Sequence, residues 1–144
     1  MPCDSLGDAV YREQQRLLEM EERLRTAEEE LRRRPGPETR LAFHAALSAF
    51  SEHLLEHFEE EEEGGFFQQV LETQPSSHPT VSVLRQEHDA MRAQVSLLRA
   101  RISSHAGSSA LPSVTDLLDA LEHHERAERK LLQETFVTDT GAGD

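Results

Sequence analysis

Apolar residues recur along most of this chain in alternating steps of four and three, the spacing that keeps one face of an α-helix dry. The first series, Leu6, Val10, Glu13, Leu17, Met20, Leu24, Ala27 and Leu31, predicts a helix over residues 4 to about 33, with Glu and Arg on its other faces. Arg34-Pro35-Gly36-Pro37 ends it, because a helix cannot continue its hydrogen bonding through two prolines and a glycine. The loop is so short that the next helix has to return antiparallel beside the first. That second helix starts near Pro37 and carries Phe43, Leu47, Phe50, Leu54, His57 and Glu61 on one face. Gly64-Gly65 weakens it, and Phe66, Phe67, Val70 and Leu71 prolong it for a turn or two before Gln74-Pro75-Ser76-Ser77.

A third helix begins around Pro79, with Val81, Leu84, His88, Met91, Val95, Leu98 and Ile102 inward. Ser103 to Ser109 reads as a flexible connection that includes His105. Ser113, with Asp116 three residues on, is read as the N-terminal cap of a fourth helix. Its inward series is Val114, Leu117, Leu118, Leu121, His124, Glu128, Leu131 and Leu132. No strand pattern is found. The expectation is an all-α, up-down-up-down antiparallel four-helix bundle, one domain over residues 1–137 followed by a flexible tail at 138–144.

The exceptions to the apolar pattern carry the chemistry. His57 and Glu61 are four residues apart, about 40° of rotation and about 6 Å of rise, so both side chains leave one face of the helix. His124 and Glu128 repeat that spacing, and His88 and Glu13 stand on the other two stripes. In a bundle of alternating direction all of these fall at one depth: His88 and Glu13 lie about ten residues, or about 15 Å, inside the starts of their helices, and the two His/Glu pairs about 10 to 15 residues before theirs finish. Burying a carboxylate without a partner costs several kcal/mol or forces it to stay protonated, so such a layer calls for a cation. His57, Glu61, His88, His124, Glu128 and Glu13 are therefore the candidate metal ligands. His53 and His123 fall to the side of their stripes, and His44 and His78 follow no pattern.

Composition narrows what the metal site can be. Cys3 is the only cysteine, which excludes an internal disulfide, a zinc ribbon, an iron–sulfur cluster and covalent c-type haem attachment. The formal charge is −13, with 28 acidic against 15 basic residues, and no Lys/Arg cluster beyond Arg32 to Arg34 offers a nucleic acid its phosphate contacts. No apolar run reaches the length of a membrane span and no leader is visible, so a cytoplasmic location is expected.

Three segments, HFEEEEEGG from His57, RQEHDAM around His88 and HERAERKLL from His124, resemble a hemerythrin-like domain of the HHE cation-binding family over nearly the whole chain. The resemblance implies a four-helix bundle holding two iron ions in a non-haem di-iron centre. Glu61 and Glu128 would bridge the irons, and His57, His88 and His124 would be terminal ligands. Two positions depart from the family. Its first helix carries a histidine where this chain offers Glu13 on the core stripe or Gln14 by local alignment, and Arg92 stands where oxygen carriers have a second helix-three histidine. A site richer in oxygen ligands favours harder, more oxidised iron and counts against reversible dioxygen carriage.

The expected function is a metal-binding module that binds or senses iron, dioxygen, nitric oxide or peroxide, with a diatomic or peroxide as the small partner. Manganese or zinc are the alternative metals. A carboxylate-bridged di-iron oxidase or peroxidase and a metal-free helical interaction module are the alternative functions.

Overall fold

A computed structural model describes residues 6–103 and 111–138. Four long helices make the bundle: α1, Leu6–Arg33; α2, Pro37–Glu62; α4, His78–Ser103; and α5, Leu111–Leu132. A short α3, Phe66–Thr73, and a 3₁₀ turn, Pro75–Ser77, link α2 to α4, and a π-helical turn, Gln133–Thr138, follows α5. The long helices alternate in direction; α1 lies against α2, α4 against α5, and α2·α4 and α1·α5 contacts close the ring. No strand occurs among the described residues. His105 and the chain from Asp139 onward lie outside them.

The breakers act as expected at the first turn of the chain. Pro37 opens α2, and Thr39 Oγ1 donates to the Arg34 carbonyl at 2.8 Å, tying the loop to the helix it starts. The glycines after Glu62 do more than weaken α2. Gly64 has φ +88°, a left-handed conformation that stops the helix, so α3 is a separate element set at a new angle. A Cβ on Gly65 would collide with the Glu60 carbonyl oxygen, so only glycine lets the chain turn this tightly beneath Glu61. Ser113 is not the cap of α5, which starts two residues earlier; its Oγ accepts a hydrogen bond from Arg101 Nη1 at 2.8 Å.

The expected stripes of α2, α4 and α5 are buried throughout their described side chains except Leu132, which is half-buried, and α5 buries Glu125 as well. In α1 the stripe is rotated by one residue between its apolar anchors. Val10, Leu17, Leu24 and Leu31 are buried as expected, but the positions between them are filled by Gln14 and Glu21, while Glu13 and Met20 are half-buried. Seven-residue steps leave the residue between two anchors undecided between +3 and +4, and the packing of α1 on α2 and α5 chooses +4.

Two apolar cores result. The larger holds Leu17, Leu24, Phe50, Leu54, Phe58, Met91, Val95 and Leu121 and their neighbours along the bundle. The smaller, at the end closed by α3, holds Val10, Phe66, Phe67, Val70, Val81, Leu84 and Leu131. Between them, on every long helix, the stripe turns polar.

Candidate metal centre

Ligand atoms of Glu61, His88, His124 and Glu128 all lie within 4.8 Å of one another in that layer, and all four residues are buried. Each helix delivers its group because the stripe that packs the apolar cores runs straight through it. Glu61 spans two imidazoles: its Oε2 is 3.3 Å from His57 Nε2 and its Oε1 is 3.0 Å from His88 Nε2. Glu128 Oε2 lies 3.1 Å from His124 Nε2 and 3.9 Å from His88 Nε2.

Behind every imidazole stands another carboxylate. Glu62 Oε2 is 2.6 Å from His88 Nδ1, Glu87 Oε1 is 2.7 Å from His124 Nδ1, and Glu13 Oε1 is 3.8 Å from His57 Nδ1. A ring that donates Nδ1–H outward presents the Nε2 lone pair inward, the tautomer a metal requires. Arg92 holds Glu62 in turn, with Nη2 at 2.9 Å from Glu62 Oε1 and Nη1 at 2.9 Å from Asp89. His88 is also pinned by rings, stacked at 4.0 Å on Phe58 and at 5.2 Å on Phe67 between centroids.

These residues fit a metal ion better than they fit one another. Both oxygens of Glu61, Glu128 Oε1, His57 Nε2 and His88 Nε2 are buried without a hydrogen-bond partner, although their neighbours are close. The atoms approach without the alignment of donor and acceptor. Ligands about 2.1 Å from a shared ion stand about 3.0 Å apart in an octahedron and about 3.4 Å apart in a tetrahedron. The 3.0, 3.1 and 3.3 Å separations are of that size.

The electrostatics tell the same story in protons. Burial pushes the His57 and His88 imidazoles down, but the facing carboxylates more than reverse this and bring both to about 9. His124 is raised for the same reasons, by Glu128 before Glu87. Burial works to raise Glu61, yet His57 and His88 hold it below the usual carboxylate range. Glu128, fully buried beside Glu61, is raised. Without an ion the layer has to carry protons to neutralise its charge.

The hemerythrin HHE cation-binding domain matches residues 6–136 of the chain. The chain belongs to that family. Among curated proteins and among solved structures, none matches it significantly. A hemerythrin HHE domain binds metal cations, and the buried His/Glu cluster is where this member can do so.

The remaining expected positions separate clearly. His57 joins the cluster through Glu61, whereas Glu13 stands on the far side of the His57 ring, with Oε1 2.6 Å from His53 Nε2. Gln14, its rival, is buried with an unpartnered Nε2. His44 is half-buried, and His78 and His123 are exposed. Glu62 and Glu87 escaped the sequence reading. Their signal was present in their places, one residue after Glu61 and one before His88, but a stripe argument assigns such neighbours to solvent.

Proposed function

We propose that the domain holds a dinuclear non-haem iron centre and binds or senses a small oxidising or diatomic ligand there, dioxygen, nitric oxide or peroxide. The observation that supports two ions is the placement of Glu61, whose two oxygens face different imidazoles. His57 would serve one ion, His88 and His124 the other, and Glu128 would join them as a second carboxylate. Glu13, 3.8 Å behind the His57 ring and nearer to His53, acts on the His57 position by its charge. Bound iron would supply redox-active coordination positions for the small ligand.

The chain's own contribution is selection and enclosure. Three imidazoles with at least two carboxylates make an oxygen-rich set that favours the ferric state. Arg92, engaged outward with Glu62 and Asp89, leaves no fourth imidazole on α4. Phe58 and Phe67 keep the His88 side of the layer dry. Anaerobic ferrous loading with metal analysis, followed by absorption spectra with air, nitric oxide and peroxide, tests the reading. Two ions per chain and a ligand-dependent spectrum are expected; one ion or fewer, or spectra indifferent to all three ligands, would overturn it.

A further inference from the structure

A solvent-open cavity of about 400 Å³ lies between α1 and α5, and its lining includes Tyr11, Gln14, Leu18, Glu21, Glu125 and Arg129. Three of these side chains are more than nine-tenths buried: Glu21 is 3% exposed, Gln14 5% and Glu125 6%. Each has a polar atom with no hydrogen-bond partner, Glu21 Oε2, Glu125 Oε2 and Gln14 Nε2. None of the three belongs to the cluster of Glu61, His88, His124 and Glu128.

Two carboxylates brought together from facing helices repel each other, and burial removes the water that would screen them. The arginines of the lining do not answer both. Arg126 is paired with Glu122 at 2.8 Å, and Arg129 reaches the Gln14 amide oxygen at 3.5 Å. An apolar interior would be cheaper in free energy than this pair unless a cation occupies it.

We infer that Glu21 and Glu125 form a second cation site, separate from the buried centre and open to solvent, for a hard divalent ion. Carboxylate oxygens suit such an ion, and the open cavity lets it keep part of its water shell. Gln14 Nε2 donates to one of those waters, while its oxygen stays with Arg129. The site adds a cation position to those of the proposed centre.

Manganese(II) is the probe. Full-length protein whose centre has been filled anaerobically with ferrous iron is titrated with Mn²⁺, and free Mn²⁺ is read by electron paramagnetic resonance. One further Mn²⁺ per chain is expected, with affinity cut at least about tenfold in Glu21→Gln/Glu125→Gln and unchanged in Glu38→Gln, an exposed carboxylate outside the cavity. These amide substitutions preserve shape and remove a repulsion, so the variant should melt no lower than the parent. Gln14→Ala gives a second test that leaves both carboxylates in place, with a several-fold weakening expected. His88→Ala, impaired at the centre, should still take up the extra ion. Absence of the extra ion in the parent, equal binding by the double variant, or loss of the extra ion in His88→Ala would each overturn the inference; the last would place Glu21 and Glu125 in the centre itself.

Discussion

Glu62 Oε2 sits 2.6 Å from His88 Nδ1, on the edge of the imidazole opposite the Nε2 that faces Glu61. A carboxylate in this position fixes both the tautomer and the orientation of a ligating ring, and removing it typically costs 10- to 100-fold in metal affinity, by about that order of magnitude. Glu62→Gln and Glu87→Gln are each expected to weaken binding within that range, measured by competition with a chelator of known affinity. Glu63→Gln, exposed on the same acidic run, should change nothing. Equal behaviour of Glu62→Gln and Glu63→Gln would mean that the imidazoles are held by packing alone.

Glu13 and His57 give a graded comparison. Glu13 Oε1 lies 3.8 Å from His57 Nδ1, longer than the corresponding contacts of His88 and His124, and is shared with His53. Glu13→Gln should therefore weaken the His57 position by less than about tenfold, whereas His57→Ala should empty it. Metal counts on the two purified variants check this, and complete loss of an ion from Glu13→Gln would make Glu13 a direct ligand.

The charge of the layer predicts how the metal-free protein responds to pH. His57 and His88 rise from 6.5 to about 9 on folding, and Glu125 from 4.5 to about 9. Folding thus takes up protons that the unfolded chain would release, so the stability these groups confer is complete below their unfolded values and is lost as pH climbs toward 9. Glu61 acts oppositely, its contribution being present above 4.5 and lost in acid. The melting temperature of metal-free protein should peak at about pH 4 to 5, fall slowly at first and more steeply from about 6.5 toward 9, and Glu125→Gln should flatten that fall. Metal affinity should rise over the same interval, because the ion competes with those protons. A melting temperature flat from pH 6 to 9, in protein shown to be free of metal, would contradict this account.

Gly64 and Gly65 should fail in different ways. Gly64→Ala meets only a Gln68 side chain at 3.6 Å but has to hold φ +88°, a cost of about 1–2 kcal/mol with no reason to touch the metal. Gly65→Ala drives a Cβ into the Glu60 carbonyl, which only a shift of the α2 terminus can relieve. It should cost more than about 1 kcal/mol and also lower metal affinity by moving Glu61. Thermal melts paired with chelator competition separate the two effects.

What could be read from the chain alone follows from what periodicity measures. Stripes report burial, so the anchors of all four long helices and the inward placement of His57, Glu61, His88, His124 and Glu128 were legible. The α1 intermediates were not, since Val10, Leu17 and Leu24 fit either Glu13 and Met20 or Gln14 and Glu21. Glu62, Glu87 and Glu125 each adjoin a stripe residue, and what they face depends on how a neighbouring helix is rotated, which no single helix encodes. The independent α3 left a trace that the short apolar run concealed: carried on from His57 and Glu61 at about 100° per residue, Phe66, Phe67 and Val70 fall on the opposite side of α2, so their burial requires the break at Gly64-Gly65.

The polar layer also divides the molecule's cooperativity. Leu17, Leu54, Met91 and Leu121 on one side and Val10, Phe67, Leu84 and Leu131 on the other belong to different apolar cores, joined on α2, α4 and α5 by groups that hold protons when no ion is present and on α1 by the Gln14 amide. Such an end can open as a unit of its own, at lower free energy than global unfolding. An ion ligated from α2, α4 and α5 at once crosslinks that junction, so amide exchange in α3 and the adjoining helix ends would change from a local opening to the exchange rate of the whole bundle. In this fold, metal occupancy sets how many pieces the protein unfolds in.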